Sequence, residues 1–236
     1  MMDIALPESL AQARERLHQA LLEAKRPLND ATLLAVSKTK PVSLIRQAYA
    51  LGQRAFGENY LQEALDKQIE LADLNDIVWH FIGPLQSNKT RAVAEHFDWI
   101  HSIDRLKIAN RLSEQRPSHL APLNICLQVN ISREASKSGV IPEDVKALAY
   151  EAAQLPRLRL RGLMAIPAPA DTLEAQRKPL AELSHLLTEL QTTLPQAPLD
   201  TLSMGMSDDL EAAVMEGATL VRLGTAIFGA RGAVNS

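Results

Sequence analysis

The chain has 236 residues, 46% hydrophobic and 22% charged, with a formal net charge of −3, which leaves no electrostatic footprint for nucleic acid or anionic lipid. Its single cysteine, Cys126, excludes an intramolecular disulfide and a cysteine-based metal cluster. No apolar run reaches about 18 residues, and "MMDIALPESLAQARERL" carries acids too early for a signal peptide, so neither a membrane span nor a leader is expected. A soluble protein of a reducing compartment, placed in the cytoplasm, is the expectation.

In chain order, a helix-like segment, "PESLAQARERLHQALLEAK", comes first. Eight short apolar runs follow and read as strands. They are "TLLAVSK" (32–38), "RAFGEN" (54–59), "WHFIG" (79–83) and "WIHSI" (99–103), then "LNICLQVN" (123–130), "LRGLM" (160–164), "TLSMG" (201–205) and "LVRLGTAIFG" (220–229). Amphipathic stretches alternate with them, such as "PVSLIRQAYALG" (41–52), "YLQEALDKQIELA" (60–72) and "PEDVKALAYEAAQL" (142–155). The alternation predicts an α/β fold with a parallel sheet, and eight units in this length predict a single-domain (β/α)8 TIM barrel over residues 1–236. The extra N-terminal helix is expected to cover the wall that an eighth helix would otherwise cover. An open doubly wound sheet is the rival topology.

Barrels gather function where strands end and the next loops begin. Those ends carry Lys38, Asn59, Gly83, Ser102, Asn130, Met164, Ser203 with Gly205, and Arg222 with Gly224 and Thr225. Side chains alternate along a strand, so Leu34, Val36 and Lys38 share a face, and Lys38 points to the open top of the barrel if Val36 faces inward. A partly desolvated lysine loses preference for its charged form, and the neutral amine is the nucleophile of Schiff-base chemistry. The plainer alternative is a lysine that snorkels to water. Lys40 falls past the strand, beside Pro41, and is expected in solvent.

At the last two strands, "SMGMS" (203–207) and "GTAIFG" (224–229) bring glycines and hydroxyls together where barrels often hold phosphate. Ser207 reads as the N-cap of a helix over "DDLEAAVMEGA", with Asp208 and Asp209 in its first turn either competing with an anion or simply capping. Arg222 lies among Leu220, Val221 and Leu223, and a buried guanidinium must find an acceptor. A carboxylate such as Asp104 or Glu58 is one choice; a ring nitrogen of a bound heteroaromatic cofactor is the other.

Lysine, phosphate-type glycines and arginine together suggest pyridoxal 5′-phosphate (PLP). The sequence resembles the YggS/PROSC-type pyridoxal phosphate homeostasis proteins, whose fold is similar to the N-terminal barrel of alanine racemase. "LLAVSKTKP", "FGENYLQEALDK", "WHFIGPLQSNK", "RLRGLMAIP", "LSMGMSDDLEAA" and "VRLGTAIFGAR" carry the resemblance, in this order, from about Leu33 to Arg231. It implies that Lys38 holds PLP as a Schiff base and that Ser203, Gly205, Gly224 and Thr225 hold its phosphate. It further implies that Arg222 faces the pyridine nitrogen, Asn59 borders the ring and Met164 lines the pocket. The implied role is binding and exchange of PLP for intracellular homeostasis, by a monomer that passes PLP to apo-enzymes and has no established turnover, with no nucleic acid or membrane involved.

An arginine at the ring nitrogen weakens the electron sink that a carboxylate there would strengthen. Racemisation also needs a second proton shuttle, which in alanine racemase the resemblance implies is a tyrosine from an additional β-domain. Tyr49, Tyr60 and Tyr150 all fall in helix-like segments, with only Tyr60 near a strand end. A PLP-dependent amino-acid racemase or related PLP enzyme remains an alternative, as does a Schiff-base aldolase acting on a sugar-phosphate carbonyl through Lys38.

Other residues read more plainly. The six histidines show no metal spacing; His80 and His101, in strands three and four, read as structural histidines within reach of the pocket. Cys126 reads as a small buried hydrophobe. In "NISREASKSG" (130–139), Arg133 and Lys137 read as solvated near the barrel mouth, Lys137 being the better candidate for a secondary role. "RLRLR" (157–161) reads as a strand start in contact with solvent.

Overall fold

Strands buried on both faces must be apolar at successive positions, and β1 (Thr32–Val36) meets that condition: Leu33, Leu34, Ala35 and Val36 are all buried. Leu33 and Ala35 join the core between sheet and helices, while Leu34 turns inward against Gly57. The computed structural model describes residues 5–135 and 137–230. After α1 (Leu6–Glu23) and β1 come α2 (Val42–Ala50), β2 (Ala55–Glu58), α3 (Leu61–Glu70), β3 (Val78–Phe81), α4 (Thr90–His96) and β4 (Trp99–Ile103). Then follow α5 (Leu106–Gln115), β5 (Leu123–Gln128), α6 (Val145–Ala153), β6 (Leu158–Met164), α7 (Leu173–Thr193), β7 (Thr201–Ser203), α8 (Leu210–Met215), β8 (Leu220–Leu223) and α9 (Thr225–Phe228).

The strands pair in parallel in sequence order, and β8 pairs back onto β1 with Arg222 opposite Leu34. This is a closed (β/α)8 barrel, and the open-sheet alternative falls. α1 buries Leu6, Leu10, Ala13, Leu17, Ala20 and Leu21 at helical spacing and packs on α2, α8 and α9. It covers the wall that α9, only one turn long, leaves bare. No helix among the described residues is long and apolar enough to cross a membrane.

Several boundaries differ from the sequence expectation, and β1, β2, β3, β5 and β7 all stop short of the ends read for them. The last strand stops at Leu223 instead of running to Gly229, and "TAIF" forms α9, whose Ile227 and Phe228 are buried. Ser207 is not an N-cap: α8 begins at Leu210, and Asp209 occupies the cap position while its carboxylate accepts the Met206 N–H at 2.8 Å. The 142–155 segment opens as a 3-10 turn, Pro142–Asp144, before α6. β6 begins two residues early, at Leu158, with Arg159 exposed between buried Leu158 and Leu160.

The barrel interior is unusual in its chemistry. Such interiors are dominated by branched aliphatic residues. Here His80, His101, Ser203 and Arg222 are buried within the ring of strands. At Gly162 a Cβ would lie 1.7 Å from the Thr201 carbonyl oxygen, so the β6–β7 contact admits only glycine.

Candidate ligand site at the barrel mouth

Lys38 sits two residues beyond β1, half-buried, in a loop that is clamped from beneath. Lys67 of α3, itself buried, donates to the Ser37 carbonyl at 2.8 Å and to the Glu58 carboxylate at 2.7 Å. It also pairs with Glu63 at 2.6 Å, one helical turn away. Glu63 in turn accepts the Thr39 N–H at 2.6 Å, and Thr39 adopts a left-handed φ of 64°. Burial pushes the Glu58 carboxyl above its ordinary range, with Lys67 and Ser37 opposing that shift. Breaking one half of a buried pair strands the other charge. Lys67→Met is therefore expected to cost about 3 kcal/mol, read as a lower urea midpoint with an unchanged slope.

The same turn overturns the expectation for Lys40. It is 8% exposed, and its ammonium donates to the carbonyls of Gly229 and Ala230, both at 2.9 Å. Once the strand ends at Val36, alternation no longer says where a side chain points.

Arg222 rises from β8 into a cavity of about 510 Å³ lined also by Gly205, Met206, Ser207, Lys137 and Ile166. Arg222 as a whole is 5% exposed. It donates to Ser203 Oγ at 3.2 Å and to the Ala165 carbonyl at 3.0 Å, so its acceptors are neutral. Neither expected carboxylate serves it: Glu58 is held by Lys67, and Asp104 lies beside Arg105 and the Gly139 N–H. Burial draws its pKa down to about 10, still charged at neutral pH.

The other strand-end residues occupy distinct places at the barrel mouth and beneath it. Met164 is buried and pairs in register with Ser203. Gly205 has φ 101°, and a Cβ there would lie 2.7 Å from the Ala213 Cβ, so this turn requires glycine. Gly224 packs on Val36, placing the β8 loop and the exposed Thr225 against the β1 end. Asn59 lines a second mouth cavity of about 290 Å³ with Gln128, Asn130, Lys137 and Ile166, and its Oδ1 is buried without a partner. Gly83 lets the β3 end approach: a Cβ there would lie 2.3 Å from the Asn59 carbonyl. Lys137 borders both mouth cavities, whereas Arg133 is tied to Glu143 and Glu182. His80 and His101 are buried and bonded, and Cys126 is fully buried. The clamp of Glu58, Glu63 and Lys67 was not anticipated; only the i,i+4 spacing of Glu63 and Lys67 signalled it.

The model of the alanine racemase N-terminal domain matches residues 10–232. The chain belongs to that family. Within it, the chain is 62% identical over 226 residues to the pyridoxal phosphate homeostasis protein of Pseudomonas aeruginosa, covering 96% of each. It is 54% identical over 233 residues to the Escherichia coli K12 protein of the same name, covering 98% of each. Among solved structures, PipY of Synechococcus elongatus with PLP bound has 42% identity and a TM-score of 0.82, over 95% of this chain and 100% of that one. Alanine racemase of Corynebacterium glutamicum, at 17% identity and TM-score 0.69 over 97% of this chain and 63% of that one, shares the fold. The alanine racemase N-terminal domain family thus includes this chain on its pyridoxal phosphate homeostasis branch.

Proposed function

We propose that this protein binds PLP at the barrel mouth, holds it covalently through Lys38, and exchanges it with other proteins in intracellular PLP homeostasis. The observation that carries this reading is Arg222: a buried guanidinium with neutral acceptors only, bordering the mouth cavity. Such a group suits a neutral ring nitrogen. The residues present fit the cofactor on two further counts. Asn59 Oδ1 lies buried and unpartnered at the rim, and Gly205 lines the mouth cavity at the end of β7.

Bound there, PLP would supply an aldehyde that a lysine amine can capture. Lys38 would take that aldehyde, its loop held still by Lys67 and Glu63. Gly205, Gly224 and Thr225 would hold the phosphate; Ser203, expected there too, is fully buried and bonded to Arg222, and would position that guanidinium instead. Asn59 would border the ring, and Met164 would pack beneath. Arg222 would keep the ring nitrogen unprotonated, which weakens electron withdrawal and disfavours carbanion chemistry. Of the tyrosines, Tyr49 bonds to Asp76 outside the barrel, Tyr150 is exposed on α6, and Tyr60 stands at the start of α3, 48% exposed. None is buried opposite Lys38, which favours a carrier over a racemase.

The test is to load the purified protein with PLP, reduce with borohydride, and map the labelled peptide. One label, on Lys38, is expected, with transfer of PLP from unreduced protein to an apo-enzyme. A label elsewhere, or none, overturns the reading; sustained turnover of D- or L-alanine overturns its non-catalytic part.

A further inference from the structure

The barrel floor, on the face opposite the mouth, holds a cavity of about 520 Å³. The first residues of five strands bound it: Thr32, Ala55, Val78, Trp99 and Leu220. Barrel floors ordinarily serve stability, so a cavity of this make-up at that face is unusual. Leu17, Leu33 and Val78 supply apolar wall, Arg14 and Arg54 supply cations, and no carboxylate among the described residues lines it. Arg54 is neutralised by Asp76 at 3.0 Å. Arg14 has no such partner among the described residues: it donates to the Leu51 carbonyl at 2.8 Å and to Gln53 Oε1 at 3.3 Å, both uncharged.

His80 lines the same cavity and is 2% exposed. What it offers there follows from the hydrogen bonds above it. Ser203 Oγ, fully buried, has two partners among the described residues, Arg222 Nη1 at 3.2 Å and His101 Nδ1 at 2.7 Å. A guanidinium only donates, so the Ser203 hydroxyl proton goes to His101 Nδ1. Burial keeps both imidazoles neutral, drawing His80 down to about 3 and His101 well below its ordinary value. A neutral ring carries one proton, so His101 holds its own on Nε2 and donates it to His80 Nδ1, 2.9 Å away. His80 is left with its proton on Nε2, at the ring edge away from His101. The reverse order would strand the buried Ser203 proton without an acceptor.

His80 Nε2 makes no hydrogen bond among the described residues. The floor cavity therefore combines a buried N–H in want of an acceptor, a guanidinium without a carboxylate, and an apolar wall. Both polar groups donate, so the group that satisfies them is an anionic oxygen. The wall calls for an apolar body attached to it.

We propose that the floor cavity is a second ligand site, which takes a small organic carboxylate: its oxygen accepts from His80 Nε2–H, Arg14 balances its charge, and its apolar body lies against the wall. The proposal does not depend on what the mouth binds.

Proton–nitrogen NMR on the full chain with labelled histidines tests this, with benzoate and inorganic phosphate as probes, each titrated with and without PLP. Before any probe is added, His80 and His101 are both expected to carry their protons on Nε2. Benzoate is expected to bind saturably in either case and to shift the His80 Nε2–H signal. Arg14→Gln is expected to bind benzoate about tenfold more weakly, the worth of one charged hydrogen bond. A His80 protonated on Nδ1 overturns the site, as does benzoate that fails to bind or leaves the His80 signal unmoved. Binding that PLP abolishes places benzoate at the mouth and also overturns it. Phosphate held as tightly as benzoate overturns the organic class of the ligand. Unchanged benzoate affinity in a folded Arg14→Gln, checked by near-ultraviolet circular dichroism, overturns the site as well; if that variant does not fold, the His80 signal of the unaltered protein decides.

Discussion

Lys38→Ala is expected to lose the violet absorbance band of PLP-loaded protein and all borohydride-trapped label, while thermal stability stays within about 0.5 kcal/mol of the parent. The second half of that expectation follows from where the residue sits. Lys38 is half-buried and lies beyond β1, and the bonds that shape its loop come from Ser37, Thr39, Lys67 and Glu63. Its own side chain is not part of the hydrophobic core. Removing the amine therefore removes the chemistry and leaves the mount. Lys40, two residues further along the same turn, is no substitute, since its ammonium is committed to Gly229 and Ala230. Absorbance, mass spectrometry after reduction and a melting curve read the three quantities separately. A retained band would move the covalent site to another lysine.

Acid is expected to unfold the protein early, and the two interior histidines are the reason. Both have folded pKa values depressed by burial, His80 to about 3, against an ordinary value of 6.5. Their contribution to stability is thus fully present above pH 6.5 and is lost as pH falls toward the folded values, because the unfolded chain binds two protons that the folded chain refuses. Each such proton withdraws about 1.4 kcal/mol per pH unit. Between about pH 7 and pH 5 the pair removes roughly 4 kcal/mol, a large fraction of a typical domain's 5–15 kcal/mol. Glu58 and Asp98, whose carboxyls burial pushes up, act in the opposite sense, but only nearer the carboxylate range. Urea melts across this interval measure the effect directly. A pH-independent midpoint would mean that His80 and His101 can protonate in place.

The barrel was legible because its signal is simple: strands buried on both faces are continuous apolar runs, and eight of them alternate with amphipathic helices. Misreadings came where an apolar run outlived its strand. "TAIF" continues the pattern of β8, yet it packs as a turn of helix under α1, and periodicity over four residues cannot separate the two. Arg222 is recognisable as a buried cation in need of acceptors, but its partners are a hydroxyl on β7 and the carbonyl of Ala165, one residue past β6, which no spacing encodes. In the sequence, His80 and His101 read as two separate structural residues. Their bond joins neighbouring strands, and their link to Ser203 spans 102 positions in sequence, so only closure of the barrel makes them one unit.

Lys40 ties the first βα loop to the segment after α9, bonding the carbonyls of Gly229 and Ala230. Ser9 of α1 adds a second tie by donating to the Ile227 carbonyl. The barrel's closing seam is therefore stitched at its upper edge, and the amine and the glycine-rich turn beside it behave as a single jaw. On the opposite lip Ile166 and Met206 stand exposed, and the loops after β6 and β7 meet through Gln176, whose amide donates to the Ala170 and Asp208 carbonyls, so that lip is tied by a neutral side chain rather than by a buried ammonium.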